Sequence, residues 1–378
     1  MDFSALSQYL DRLTPDRVPG VDLEIRMGYE PIYRHAAGTG REGRPVRGDE
    51  IYWLYSATKV FTATAAMQMY ERGAYTLDTP VSEFLPEYAH LTVRDGDTVR
   101  PARTVMTVGH LLTMQGGLDY ELGAPEIAKA RAALGRDGST RDMVAAFAAR
   151  PLSFDPGTHF QYSLCHDVLA AVIEQASGLK YEKYLRKNIF GPLGIESMTM
   201  HPTDAHFSRM PARYAWQPDE ARCKQIEIFH NDYRLTDAYE SGGAGLVGSL
   251  DDYIRLPEAL ANGGVGRTGE RILKPETIAL MRTDQLSGAS RADFDAMGRT
   301  GYSYACGVRT MVDNAHAKSP LGEFGWDSAA GAWIMVDAER KLSAVFMMHV
   351  LSCGPAYDEY HPAIRDLIYE GIDAGQGR

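Results

Sequence analysis

Strand-like segments stand at both ends of this 378-residue chain, and helical ones fill the distance between them. Near the start, "VDLEIRMGYEPIYRHAAG" reads as two short strands joined by a turn at Met27 to Tyr29. Near the other end, "SYACGVRTMVD" and "AWIMVDAERKLSAVFMMHV" precede a helical tail, "YHPAIRDLIYEGIDAG". From about residue 60 to 290 the pattern is mostly helical, punctuated by Gly and Pro in "LDTPVSEFLPEY", "LLTMQGGLDY", "FDPGTHFQYS" and "ESGGAGLVGS". The distribution predicts one antiparallel sheet assembled from the two ends, in a mixed α/β (α+β) fold. Residues 1–60 and 290–378 are expected to form an α/β lobe and 61–289 a mostly α-helical lobe, with the active site in the cleft between them.

A formal net charge of -11 opposes a nucleic-acid partner, which needs a clustered positive surface. No run approaches the 18 or so apolar residues of a membrane span. The opening "MDFSALSQYLDRLTPDRVPG" is polar and amphipathic, unlike a secretory signal, so a cytoplasmic location is the expectation. Cys165, Cys223, Cys306 and Cys353 lack C-x-x-C spacing and read as reduced thiols. His159, His166, His201, His206 and His230 show no ligand spacing, and no metal is expected. His110, in "VGHLLTM", reads as a satisfied, at least half-buried histidine. Two stretches match G-x-G-x-x-G, beginning at Gly38 and Gly243, but neither has the strand, turn and helix order that cradles a pyrophosphate, and no cofactor is expected.

The chemistry concentrates in "YWLYSATKVFTATAAMQMYERG". Ser56 and Lys59 are three apart, on one face of a helix, and can share a proton there. Ser-x-x-Lys arises by chance about once in a chain of this size. A second copy, Ser177 to Lys180, carries Gly178 at the end of a helical run and reads as a helix stop. In the first copy Lys59 falls in the first turn of an apolar helix, where helix dipole and burial both favour the neutral amine that a general base requires. A capping serine followed by a solvated lysine is an equal reading of this stretch alone. Tyr162 follows a Pro-Gly turn at the entrance to another apolar helix and can relay a proton beside a cation, although such tyrosines more often pack. Cys165, His166 and Asp167 form no relay, because adjacent helical residues diverge by about 100°.

Taken in order, Ser56-x-x-Lys59, "LDTPVSEFLP", "LLTMQGGL", "FDPGTHFQYS", "IFGPLGI", "SGGAGLVGSLDDY" and "EFGWDSAAGAWIMVD" resemble the serine β-lactamase and penicillin-binding-protein superfamily, specifically its class C-like esterase branch, from about residue 20 to 350. The resemblance implies an antiparallel sheet flanked by N- and C-terminal helices, plus an inserted all-α lobe. It implies Ser56 as acylated nucleophile, Lys59 as its base and Tyr162 as second proton shuttle, with an oxyanion hole from the backbone NH of Ser56 and of Ala329, the latter on the strand after the third motif. The resemblance also places Leu164, Trp326, Asp327 and Ser328 at substrate-facing positions; Tyr120, in "GGLDY", can line the pocket too, although a structural role is the commoner one for such a tyrosine.

Two departures from the family pattern stand out. Where many relatives have Tyr-x-Asn, this chain has Tyr162-Ser163-Leu164, so one positioning contact to the lysine or substrate is lost. Where peptidases and β-lactamases have Lys-Thr-Gly, and esterases often Trp-Gly-Gly, it has Trp326-Asp327-Ser328. The missing cation and the added acid predict neutral or cationic substrates, and Ser328 would strain the oxyanion segment if that backbone requires glycine. The expected function is hydrolysis of a small ester, or of a cyclic or simple amide, through an acyl-enzyme, with acyl transfer as a variant. β-Lactamase or D-amino-acid peptidase activity, and small-ligand binding without catalysis, are the alternatives.

Overall fold

The computed structural model describes residues 1–227 and 230–374. Its largest sheet has seven strands. Two come from the start of the chain, β1 (Gly20–Met27) and β2 (Glu30–Gly38). Five come from its end: β3 (Tyr302–Tyr304), β4 (Arg309–Met311), β5 (Phe324–Gly325), β6 (Trp333–Asp337) and β7 (Leu342–Met347). The order is β2-β1-β7-β6-β5-β4-β3, antiparallel throughout. Gly28 supplies the positive φ (+61°) of the β1–β2 hairpin, and the seam between the two ends of the chain sets Leu23 opposite Phe346.

One sheet face, with Val21, Leu23, Ile25, Met335 and Phe346, packs against the terminal helices α1 (Ser4–Leu13) and α4 (His361–Asp373). Leu6, Leu10 and Leu13 of α1, and Ile364, Ile368 and Ile372 of α4, recur at helical spacing and line that layer. Leu10 is fully buried there. Leu10→Ala is expected to cost about 2–5 kcal/mol, seen as a lowered urea midpoint with an unchanged slope.

The other face of β1 carries Asp22, Glu24 and Arg26, and it is buried as well. Arg34 reaches Asp22 at 2.7 Å and Glu24 at 2.6 Å, while Glu258 takes Arg26 at 2.7 Å. Glu258 lies in the helix Arg255–Ala261, so the alternation in "VDLEIRM" records two covered faces, one apolar and one ion-paired, instead of a core face and a wet one.

The middle of the chain is predominantly helical and centres on α2 (Thr58–Glu71) and α3 (Cys165–Ser177), which pack together in the largest core. Gly178, in the left-handed region at φ +69°, ends α3, so the second Ser-x-x-Lys is a helix terminus. Small sheets complete this part: Thr92–Asp95 with Thr98–Pro101, Arg213–Gln217 with Arg222–Ile226 and Val350–Leu351, and Ile51–Trp53 with Val247–Ser249. Among the described residues no helix is long and apolar enough to cross a membrane.

Candidate active site

Ser56 sits where a strand turns into a helix. Ile51–Trp53 pairs with Val247–Ser249 and delivers the chain to Tyr55, whose φ of +43° is left-handed. That conformation costs a bulky residue about 1–2 kcal/mol. The ring is held by the Arg213 guanidinium on its hydroxyl and by the edge of Tyr233, 6.1 Å between centroids. A short 3-10 turn over Tyr55–Ala57 then carries Ser56 to the mouth of α2.

Helix α2 is buried from Thr58 to Met69, with small residues that let neighbours approach. The loop 239–246 runs along it: Thr62 Oγ1 donates to the Gly242 carbonyl at 2.5 Å, and Leu246 N donates to Thr58 Oγ1 at 3.1 Å. The loop is also pressed against α3, which explains two of its glycines. A Cβ on Gly242 would lie 2.3 Å from the His166 carbonyl oxygen, and one on Gly243 would lie 2.5 Å from Asp167 Oδ2. The G-x-G-x-x-G stretch beginning at Gly243 thus serves close backbone packing.

Lys59 is fully buried. Its Nζ lies 3.3 Å from Ser56 Oγ, 2.9 Å from Tyr120 OH and 2.8 Å from the Gly243 carbonyl oxygen. Burial pushes the amine down to about 7, against the pull of Asp167 and Cys165 in the other direction. Tyr162 stands beside Ser56, accepts the indole N–H of Trp326 at 2.9 Å, and presents its ring 4.6 Å from Lys59 Nζ. Burial drives this phenol well above its ordinary range, so it keeps its proton at neutral pH.

These groups open onto a cavity of about 300 Å³ that also exposes Tyr233, Met297, Arg299, Asp327, Ser328, Ala329 and Tyr357. The structure therefore brings Ser56, Lys59, Tyr120, Tyr162, Trp326, Asp327, Ser328 and Ala329 together. Leu164 is not among them: it caps α3 and is buried in the main core. The contact that an asparagine would give Lys59 comes instead from the Tyr120 hydroxyl and the Gly243 carbonyl.

Three expectations from the third motif change. Asp327 gives the wall no surplus negative charge, because Arg299 holds it at 2.8 Å and Arg309 at 3.1 Å. Burial opposes its ionisation, and the two guanidinium groups outweigh burial and keep it below the usual carboxylate range. A preference for cationic substrates loses its physical basis. Ser328 is not in the left-handed region, so the strain foreseen for a non-glycine residue does not arise. Its carbonyl accepts from Gly331 N and from Tyr357 OH, both at 2.8 Å. Ala329 lies in this turn between β5 and β6, and not on a strand.

His110 is satisfied as expected, its Nδ1 accepting from Thr107 N at 3.2 Å in a capping box. Asp167 also bonds within the fold, whereas both ring nitrogens of buried His166 lack a partner. Among the described residues Glu182, His201 and Glu240 are close enough to share an ion. Their carboxylates are already engaged by Thr199 Oγ1 at 2.9 Å, Met200 N at 2.8 Å and Glu182 N at 2.7 Å, and none of the three lines the cavity.

A serine and a buried lysine 3.3 Å apart, with a phenol beside them, have the geometry that a Ser-x-x-Lys acyl-transfer centre requires. The beta-lactamase family profile matches residues 6–367, and the chain belongs to that family, as a serine hydrolase of its esterase branch. Esterase EstB of Burkholderia gladioli is 30% identical over 98% of this chain and 96% of that protein. The lovastatin esterase of Penicillium rubens is 34% identical over 70% of this chain and 68% of that protein. Among solved structures, EstCE1, described as a hydrolase with promiscuous acyltransferase activity, superposes with a TM-score of 0.79 at 26% identity, covering 97% of this chain and 98% of that one.

Proposed function

We propose that this protein hydrolyses small carboxylic esters through an acyl-enzyme on Ser56. The observation that carries the reading is the fully buried Lys59 amine 3.3 Å from Ser56 Oγ, in a site whose burial favours the neutral form. A neutral amine has two N–H donors and one lone pair. The Gly243 carbonyl takes one donor and the Tyr120 oxygen the other, which leaves the lone pair for the Ser56 proton. An indole N–H only donates, so Trp326 makes the Tyr162 oxygen an acceptor and turns the phenolic O–H toward Ser56 Oγ.

As Ser56 Oγ bonds the ester carbon, its proton passes to Lys59. The backbone NH groups of Ser56 and Ala329 receive the oxyanion, and losing one such donor costs about 3 kcal/mol in other serine hydrolases. When the carbon–oxygen bond to the alcohol breaks, the departing oxygen takes a proton through Tyr162, restored from the Lys59 ammonium. Water then attacks the acyl-enzyme by the same route reversed. The aromatic wall of Tyr120, Tyr162, Tyr233, Trp326 and Tyr357 suits an apolar acyl group. A small alcohol that reaches the acyl-enzyme before water gives acyl transfer, a second outcome favoured by the description of EstCE1.

The predicted division, 1–60 with 290–378 against 61–289, stays a proposal. It is supported by a cavity that draws Ser56, Trp326 and Ala329 from the first part and Tyr120, Tyr162 and Tyr233 from the second.

The test is the pH dependence of kcat/KM on a short-chain nitrophenyl ester. The active form is the neutral amine, so the rate is expected to rise tenfold per pH unit at acid pH and level off above about 7. A rate independent of pH between about 5 and 9 would contradict a lysine base.

A further inference from the structure

Asp167 is 1% exposed, on α3 beneath the active site. Its Oδ1 accepts from Tyr239 OH at 2.7 Å and from Ser241 Oγ at 2.6 Å, both in the loop that presents the Gly243 carbonyl to Lys59. Its Oδ2 meets no side-chain donor and lies against the Gly243 backbone; burial pushes the carboxyl up, opposed by Ser241, Tyr239, Lys59 and that backbone, which favour the anion. A buried carboxylate oxygen left unpaired is costly unless a counter-charge stands near. Oδ2 faces the Gly243 backbone, and Lys59 Nζ stands at the same place: a Cβ built on Gly243 would be 2.5 Å from Oδ2 and 3.4 Å from Nζ. Carboxylate and amine thus both approach the space beside Gly243 that a side chain would otherwise fill.

We propose that Asp167 is a positioning residue for the Ser56–Lys59 pair. Its carboxylate, clasped by Tyr239 and Ser241, fixes the loop that holds Lys59 and supplies the counter-charge that governs how readily Lys59 takes the Ser56 proton. The other titratable groups around the amine do not fill this role. Cys165 and His166 lie on the same helix, but burial pushes the thiol up to about 11 and the imidazole down to about 3, so both are neutral at working pH. Tyr120 and Tyr162 are raised by burial and keep their protons. Tyr181 and Tyr233, on the Asp167 side, are raised in the same way.

The inference rests on the hydrolase reading above, and the sign follows from it. An anion near Lys59 favours the ammonium, so removing the anion favours the amine and moves the acid limb of kcat/KM to lower pH. Asp167→Asn keeps an oxygen for Tyr239 and Ser241 and removes the charge; the limb is expected to move down by about one pH unit. Tyr239→Phe keeps the ring and removes one of the donors that hold Asp167 ionised against burial, so less negative charge stands by Lys59 at acid pH; the limb is expected to move the same way by less, and this milder change serves if Asp167→Asn does not fold. Circular dichroism and melting temperature accompany both. An acid limb at the wild-type position in the folded variants would overturn the role of Asp167 and leave the hydrolase reading intact. An ester hydrolysis that survives Ser56→Ala would instead overturn the reading on which it rests.

Discussion

Ser56→Ala is expected to lower kcat/KM for a short-chain nitrophenyl ester by about 10⁴–10⁶-fold, leaving the melting temperature close to that of wild type. The size follows from the order of events. In the proposed mechanism Lys59, Tyr162 and the two oxyanion amides all act on bonds made or broken at Ser56 Oγ, so removing that oxygen removes the effect of every other group on the acyl step. The fold has little stake in the hydroxyl, which lines the cavity and pairs with Lys59 and Tyr162. Progress curves on wild type and variant, with melting followed by circular dichroism, check both halves. A variant that keeps more than about a tenth of the activity would place the nucleophile elsewhere.

Lys59→Arg is the second large effect, with an expected loss of about 10³–10⁴-fold. Arginine preserves the charge and some donors, but a guanidinium does not give up its proton in a protein, so Ser56 loses its base. The loss should persist as pH is raised to about 9, because no accessible pH makes the variant's side chain neutral. Activity close to wild type in Lys59→Arg at neutral pH would mean that Lys59 serves by charge alone. The longer side chain must also fit a fully buried site against Tyr120 and the Gly243 carbonyl, so the thermal melt belongs with the kinetics.

How far the sequence reveals this site depends on how local each contact is. Ser56 and Lys59 are one helical turn apart, and the apolar residues around them mark the helix as buried, so the pair is legible from spacing and burial. The two-ended sheet is legible for a similar reason: strand-like runs at both termini have to find partners, and β1 finds β7. Tyr120, by contrast, is 61 residues from the lysine it touches, and Gly243 is 184 residues away. Nothing in "GGLDY" or "SGGAG" says which side chain will stand opposite, and a glycine needed for close packing looks like one needed for a phosphate. Asp327 shows the same limit. Read alone it is an acid at the substrate; its charge disappears from the wall only because Arg299 and Arg309 fold onto it. Leu164 has its own lesson: two residues from Tyr162, it turns inward because the apolar core is the better place for it. Tyr55 carries a left-handed backbone that no residue type announces, since its support comes from Arg213 and Tyr233 on distant segments.

The central claim is a covalent acyl-enzyme on Ser56, and the most direct test is intact mass after exposure to a fluorophosphonate, for wild type and Ser56→Ala side by side, with the modified peptide sequenced. The expected result is one adduct per wild-type chain, mapped to Ser56, and an unmodified variant. An adduct that persists in Ser56→Ala, or no adduct in a folded wild type, would contradict the account.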